Sequence, residues 1–354
     1  MESKLVFDFK TNQQILKKVA FIDSFKGKWT GLEVKESIYL KELQQIATIE
    51  SIGSSTRIEG STLTDKEVKQ LIDSVKVTSF KTRDEQEVFG YYEVLNLILD
   101  SFGSIEIKKN HIHHLHKSLL QVSSKDVSHR GKYKKLSNKV VANYPGGKQK
   151  IIFNTTEPFL VKGEMENLIL WTNKNFKKEE LHPLIIIAVF VYEFLSIHPY
   201  RDGNGRLSRL LTTLLLLRQG YDFMKYASME IEIEKRKKEY YKALMNGQQK
   251  RGTKKEIINE WIIFFLGTLE STINKLEERY AKIENRKTYL NERQKELIQF
   301  IKKNEPVKIK DITSALKNYT SYTLKKDMKY LTDEGVVKKL GKARATIYLM
   351  NEIN

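Results

Sequence analysis

Leu184 to Tyr192 is a run of nine apolar residues, and nothing else in the chain limits its architecture as strongly. The run is about half of the roughly 20 residues that a membrane-spanning helix needs. Pro183 opens it at a position where the lost N–H costs nothing, and Glu193 ends it. A run of this length predicts a helix in the centre of a core.

Helical periodicity recurs along the chain, in Ile38 to Ile52, Asp65 to Val75, Glu85 to Leu99, His111 to Leu120 and Glu164 to Trp171. It continues in Pro183 to Leu195, Leu207 to Leu217, Lys238 to Leu244 and Glu256 to Ala281. Only five prolines occur in 354 residues, and none interrupts a long helical pattern. A mainly α fold follows. One stretch departs from it. Val140 to Phe153 has two short β-prone runs around Pro145-Gly146-Gly147, a hairpin signal that must lie across something to be stable.

Beyond Leu290 the pattern changes again. Asn291 is placed to cap a helix to Lys303, Pro306 breaks the chain, and further helices fit Lys310 to Leu316 and Ser321 to Asp333, ending at Gly335. Val336 to Leu340 and Ala345 to Leu349 then form a second hairpin around Gly341-Lys342-Ala343-Arg344. Three helices and a hairpin predict a small winged helix-turn-helix over 291–354.

The net charge is +18, from 62 Lys and Arg against 44 Asp and Glu. This excess points to nucleic acid, nucleotide phosphates or an acidic partner, or to a surface decorated with lysine for genomic reasons. With no cysteine, disulfides, iron–sulfur clusters and thiol catalysis are excluded, and a cytoplasmic location is favoured. Met1 to Lys10 has no apolar core of signal-peptide length, and no membrane partner is expected.

Chemistry concentrates in His198 to Arg209. His198 stands at the end of the apolar helix, which Pro199 halts. Gly203 and Gly205 remove side chains where backbone must approach a ligand. A new helix starts there, and its free N–H groups form an anion site. Arg206 and Arg209, spaced i, i+3, lie on one face near its start. Asp202 is a carboxylate where phosphates gather, which implies Mg²⁺ between them. His198 is the natural base for an attacking hydroxyl. Base, metal ligand, anion hole and two clamps make a phosphoryl or nucleotidyl transfer site.

His198-Pro199-Tyr200-Arg201-Asp202-Gly203-Asn204-Gly205-Arg206-Leu207-Ser208-Arg209 closely resembles the Fic motif, H-P-F-x-D/E-G-N-G-R-x-x-R. Tyr200 stands where Phe is usual; it suits the same core position if its hydroxyl finds a partner. The resemblance, over roughly residues 30–270, implies a Fic-type helical bundle that binds ATP. It implies His198 as the base, Asp202 on Mg²⁺, and Gly203, Asn204 and Gly205 lining the anion hole. Arg206 and Arg209 would then hold the β- and γ-phosphates. The Val140 to Phe153 hairpin falls where the family has its flap, which pins a target segment by strand addition. His129-Arg130-Gly131-Lys132-Tyr133 resembles a degenerate form of the segment before that flap.

Ser55 to Gly60 resembles the family's inhibitory motif, S/T-x-x-x-E-G/N. That likeness implies Glu59 pairing with Arg209, with Ser55 and Gly60 as the motif's other members and Gly60 as a helix C-cap. Glu239 to Leu244 resembles the adenine-side segment, with Tyr240, Tyr241 and Leu244 as candidates and Tyr241 preferred. The implied domains are a helical region over 1–100 with an inhibitory helix at about 40–60, a Fic core over 101–275, a linker helix over 276–290 and the winged helix.

The activity expected is AMP transfer from ATP to a Ser, Thr or Tyr hydroxyl of a target protein, braked in cis by Glu59. Alternatives are a nucleotide-sensing DNA-binding regulator, or a Fic enzyme that removes AMP or uses another nucleotide. Residues 286–354 hold 16 Lys and Arg against 8 Asp and Glu, a balance that suits DNA as a partner. A homodimer is left open. His111, His113, His114 and His116 lack acidic or cysteine partners at ligand spacing, so they are read as part of an amphipathic helix.

Overall fold

The computed structural model describes the chain apart from residues 34–36, 75–79, 144–148, 288–289, 334–335, 342–345 and 351–354. The chain divides into two compact units, Met1–Glu36 with Leu40–Glu277, and Ser37–Tyr39 with Glu278–Asn354. Both are mainly helical, each with one antiparallel hairpin.

The first unit is built around α7 (Pro183–Ile197), in which every residue from Leu184 to Ile197 is buried. Burial of this order gives about 1.5–3 kcal/mol for each fully buried large aliphatic side chain. α7 packs between α6 (Pro158–Lys178) and α8 (Asn204–Arg218). α8 is itself buried along most of its length, from Arg206 to Leu217. Around these lie α1 (Phe9–Glu33), α2 (Ser37–Glu59), α3 (Asp65–Asp73), α4 (Arg83–Ser101) and α5 (Lys109–Leu119). The unit is completed by α9 (Met229–Lys235), α10 (Lys237–Gln248) and α11 (Asn259–Lys287) as far as Glu277. Gly90 lets α4 approach α5, because a Cβ there would lie 2.0 Å from the Leu119 carbonyl oxygen.

Some boundaries differ from the sequence reading. α1 and α9 carry no helix expected from periodicity, and α6 is longer than Glu164 to Trp171 at both ends. α11 runs through to Lys287, so the helix expected over 276–290 is largely its continuation. The hairpin pairs β1 (Lys139–Asn143) with β2 (Gln149–Asn154), with a bulge after Val140. Its expected Pro145-Gly146-Gly147 turn lies outside the described residues.

In the second unit, α12 (Glu292–Asn304) starts at an Asn291–Gln294 capping box. α13 (Ile309–Ala315), α14 (Ser321–Asp333) and the hairpin β3 (Val337–Leu340) with β4 (Ile347–Met350) follow. Leu297, Ile301, Val307, Ile312, Leu324, Met328, Leu331 and Val337 form its core. Gly335, Lys342 and Arg344 lie outside the described residues. Among the described residues no helix is long and apolar enough to cross a membrane.

Candidate active site

The loop between α7 and α8 is fixed from both ends and from below. His198 caps α7 in the left-handed conformation at φ 52°, with its N–H on the Phe194 carbonyl at 2.9 Å. Asn204 staples the turn: its Oδ1 accepts the Tyr200 N–H and its Nδ2 donates to the Tyr200 carbonyl, both at 2.8 Å. Gly203, at φ 77°, turns the chain into α8. The first-turn N–H groups of α8 are thereby left for an anion.

Beneath the loop, the buried Tyr200 bonds His113 Nδ1 through its hydroxyl at 2.9 Å and stacks on His116 at 3.6 Å. His116 Nδ1 accepts the Gly131 N–H at 2.8 Å, which makes Nε2 the protonated nitrogen that donates to the Asp202 carbonyl at 2.9 Å. Burial pushes His116 down to about 4, so this brace stays neutral. His113 and His116 thus support the loop, a role that a helix-face reading of α5 does not reveal. Their i, i+3 spacing was the one available signal.

His198 itself bonds through Nδ1 to the Leu195 carbonyl at 3.3 Å. A carbonyl accepts only from N–H, so Nε2 keeps its lone pair. Burial, followed by the nearby Lys134 charge, lowers His198 to about 4. Lys134 is a second residue that the sequence reading missed. Its ammonium donates to Thr155 Oγ1, Asn138 Oδ1 and the Ile197 carbonyl at 2.6, 2.7 and 3.2 Å, and its backbone N–H to the Pro199 carbonyl at 2.9 Å. It therefore ties down the chain on both sides of His198. Burial lowers Lys134 itself to about 8.

Arg209 is 4% exposed and reaches α2. Its Nε donates to Ser55 Oγ at 2.8 Å, and one terminal nitrogen to the Ser55 carbonyl at 2.9 Å and Glu59 Oε1 at 2.7 Å. Burial opposes the charge of Glu59, but Arg209, then Arg206 and His198, outweigh it and hold the carboxyl below its ordinary value. A Cβ on Gly205 would lie 2.1 Å from Glu59 Oε1, so the carboxylate rests against bare backbone in the first turn of α8. Gly60, at φ 114°, ends α2, and Ser61 N–H reaches back to the Thr56 carbonyl.

Asp202 has three donors: Gly203 N–H at 2.6 Å, Arg83 at 2.7 Å and Arg206 at 3.3 Å. Burial raises its carboxyl, and Arg206, the Gly203 N–H, Arg83 and Lys125 more than reverse this. Arg206 Nε and one terminal nitrogen of Arg209 are buried with no hydrogen-bond partner among the described residues, and one terminal nitrogen of Arg206 has the Glu87 carboxylate at 3.3 Å but no hydrogen bond to it. Such orphaned cationic N–H groups fit a polyphosphate. No cluster of three or more metal-binding side chains occurs among the described residues. Asp202 as a lone carboxylate beside these donors fits Mg²⁺ whose other ligands are phosphates and water.

These groups open on one cleft of about 200 Å³. Its lining joins Glu59, His198, Asp202, Gly203, Asn204, Gly205 and Arg206 to Tyr240, Tyr241 and Leu244 of α10 and to Lys139, Val140 and Phe153 of the hairpin. Both tyrosines line it, edge to face at 5.2 Å, where the sequence reading preferred Tyr241. Arg209, Ser55 and Gly60 are not part of its lining, and Arg209 is joined to it through Glu59.

Residues 106–216 match the Fic/DOC family. The chain is 27% identical over 207 residues to a protein adenylyltransferase Fic of Drosophila willistoni, a match over 58% of this chain and 39% of that protein. Its likeness to the Drosophila melanogaster protein of that description is 29% over 184 residues, or 51% and 35% of the two chains. The match thus spans well under half the length of these curated relatives. Among solved structures, a Fic family protein from Desulfovibrio desulfuricans G20 superposes with a TM-score of 0.64 at 21% identity, over 98% of this chain and 97% of that one. Fic-1 (residues 134–508) from C. elegans gives 0.59 at 20% identity, over 77% and 73%. These two likenesses speak for the fold. The chain is a mainly helical protein whose residues 106–216 match the Fic/DOC family and which is similar to Fic adenylyltransferases over a little more than half its length.

Proposed function

We propose that this chain transfers AMP from ATP to a hydroxyl side chain of a target protein, with Glu59 as a brake in cis. The observation that carries this reading is the cleft itself. It gathers the His198 imidazole, the Asp202 carboxylate, the N-terminus of α8 with Glu59 against it, and the buried Arg206 guanidinium, whose Nε has no hydrogen-bond partner among the described residues.

In this reading His198 Nε2 takes the proton of the target hydroxyl as its oxygen bonds to the α-phosphorus. The bond from that phosphorus to the β-bridging oxygen breaks, and pyrophosphate leaves. Gly203, Asn204 and Gly205 present backbone to the phosphates, Arg206 and Arg209 bind the β- and γ-phosphates, and Tyr240, Tyr241 and Leu244 flank the adenine. Asp202 would hold Mg²⁺, which when bound neutralises charge on the phosphates. Lys139, Val140 and Phe153 form the wall from which the β1–β2 hairpin would pair with an extended target segment. Incubation with ATP labelled at the α-phosphate, followed by denaturing electrophoresis, tests the reading. Covalent label on protein is expected from a Glu59→Gly chain; nucleotide binding without any label would leave a sensor and remove the enzyme.

A second function is favoured by one feature of the second unit. The exposed positions Ser321, Tyr322, Lys325, Lys326, Lys329 and Tyr330 of α14 carry three lysines, the one exposed carboxylate of the helix is Asp333 at its last position, and Lys338 and Lys339 of β3 are exposed too. Lysines with hydroxyl and aromatic groups on the second helix of a helix-turn-helix suit contact with duplex DNA, which makes this unit a winged helix by our reading. Fluorescence anisotropy with a random-sequence duplex should show binding whose log–log salt slope falls by roughly 2–3 when Lys325, Lys326 and Lys329 become Gln. No binding at about 50 mM salt, or an unchanged slope, would remove DNA from the account.

A further inference from the structure

Arg83, Glu87, Arg206 and Asp202 form a closed ring of alternating charge. Arg83 donates to Asp202 Oδ2 and, through Nε, to Glu87 Oε1, both at 2.7 Å. Glu87 Oε2 faces Arg206 at 3.3 Å, and Arg206 closes the ring on Asp202 Oδ1 at 3.3 Å. Three members are held in place. Arg206 is buried, Glu87 is nearly so, and Asp202 Oδ1 is pinned by the Gly203 N–H. Arg83 is the loose member, 47% exposed and at the first position of α4.

The two oxygens of Asp202 are therefore unequal. Oδ1 is committed to the turn and to Arg206, whereas the hydrogen-bond partner of Oδ2 among the described residues is Arg83. A divalent ion binding a carboxylate needs an oxygen at about 2.0–2.1 Å for Mg²⁺, closer than any guanidinium comes, and it carries twice the charge. Oδ2 has two lone pairs, so an ion there would sit beside the Arg83 guanidinium and meet its like charge. The ring does not depend on Arg83 for its other contacts, because Glu87 keeps Arg206 and Arg206 keeps Asp202.

We propose that Arg83 is a tethered cation that competes for the metal-binding oxygen of Asp202 and weakens the binding of a divalent ion there. The inference rests on the reading of Asp202 as the metal ligand. Glu87 is the tether, since its second bond to Arg83 survives the release of Asp202. The consequence is that metal alone binds weakly, and the phosphates that bring further ligands offset that competition. Arg83 lies 115 residues before the His198 motif, on a separate helix.

The test is a Mn²⁺ titration of the full chain, read from the electron paramagnetic resonance signal of free Mn²⁺. Arg83→Gln should tighten Mn²⁺ binding about threefold to tenfold, the scale of a partly exposed ion pair in a network. That gain should vanish in the double variant Arg83→Gln/Asp202→Asn. Lys125→Gln is the control for charge alone, because Lys125 acts on Asp202 through space and is exposed. No gain in Arg83→Gln, or an equal gain in Lys125→Gln, overturns the tether while leaving Asp202 as a ligand. A gain that persists in the double variant shows that the ion sits elsewhere, and then the underlying reading fails as well.

Discussion

Replacing His198 with Ala should cut AMP transfer by roughly 10²–10⁴-fold, the usual worth of a positioned general base. ATP should still bind, because the α8 N-terminus, Arg206 and Arg209 do not depend on the imidazole. The pH profile gives a finer check. Transfer needs the unprotonated ring, which predominates above the His198 pKa and is lost as pH falls through it. Burial and Lys134 bring that value to about 4, so kcat/KM should hold down to about pH 5, well below the midpoint of an ordinary histidine. Lys134→Met removes the neighbouring charge and should move the acid limb toward higher pH. A His198→Ala chain that labels its target as fast as the parent would take the base away from this residue.

The transfer loop was legible because its chemistry is local. Twelve consecutive residues hold the histidine, the aspartate, the glycines and both arginines, and helix geometry alone brings Arg206 and Arg209 to one face. The long apolar helix was legible for a similar reason: a continuous apolar run has few places to go. What escaped depends on distance along the chain. Arg83, Glu87, His113, His116 and Lys134 act on the loop from 63 to 119 residues away, and each has a bland local reading as a solvated or helix-face residue.

α1 escaped for a different reason. Ile15, Ile22, Phe25 and Trp29 are its buried residues and do repeat at helical spacing. Gly27 and Gly31 lie within the same stretch, and Gly is a poor helix former. In the structure a Cβ at either would meet nothing within 4 Å, so both glycines sit on open ground where helix propensity matters least to packing.

Glu59→Gly should raise labelling of protein by ATP on the order of 10²-fold, the factor associated with one correctly placed charge-stabilising contact. Two contacts change together. Arg209 loses the carboxylate that occupies one terminal nitrogen, and the bare backbone at Gly205 loses the negative charge lying against it. A γ-phosphate could then take both places without facing another anion. The helix itself should stay. Arg57 fastens its last turn to Glu234 at 2.7 and 3.0 Å and to Asp65 at 2.9 Å, while Ser55 keeps two bonds to Arg209. Loss of stability should therefore stay near 1 kcal/mol, about what Gly costs at an ordinary helix position, and be visible as a small fall in Tm. Glu59→Gln separates charge from bulk: it fills the same space without repelling a phosphate and should give an intermediate rate. Wild type and Glu59→Gly chains with the same low labelling would mean that the Glu59–Arg209 pair is structural, and that whatever restrains this site lies elsewhere.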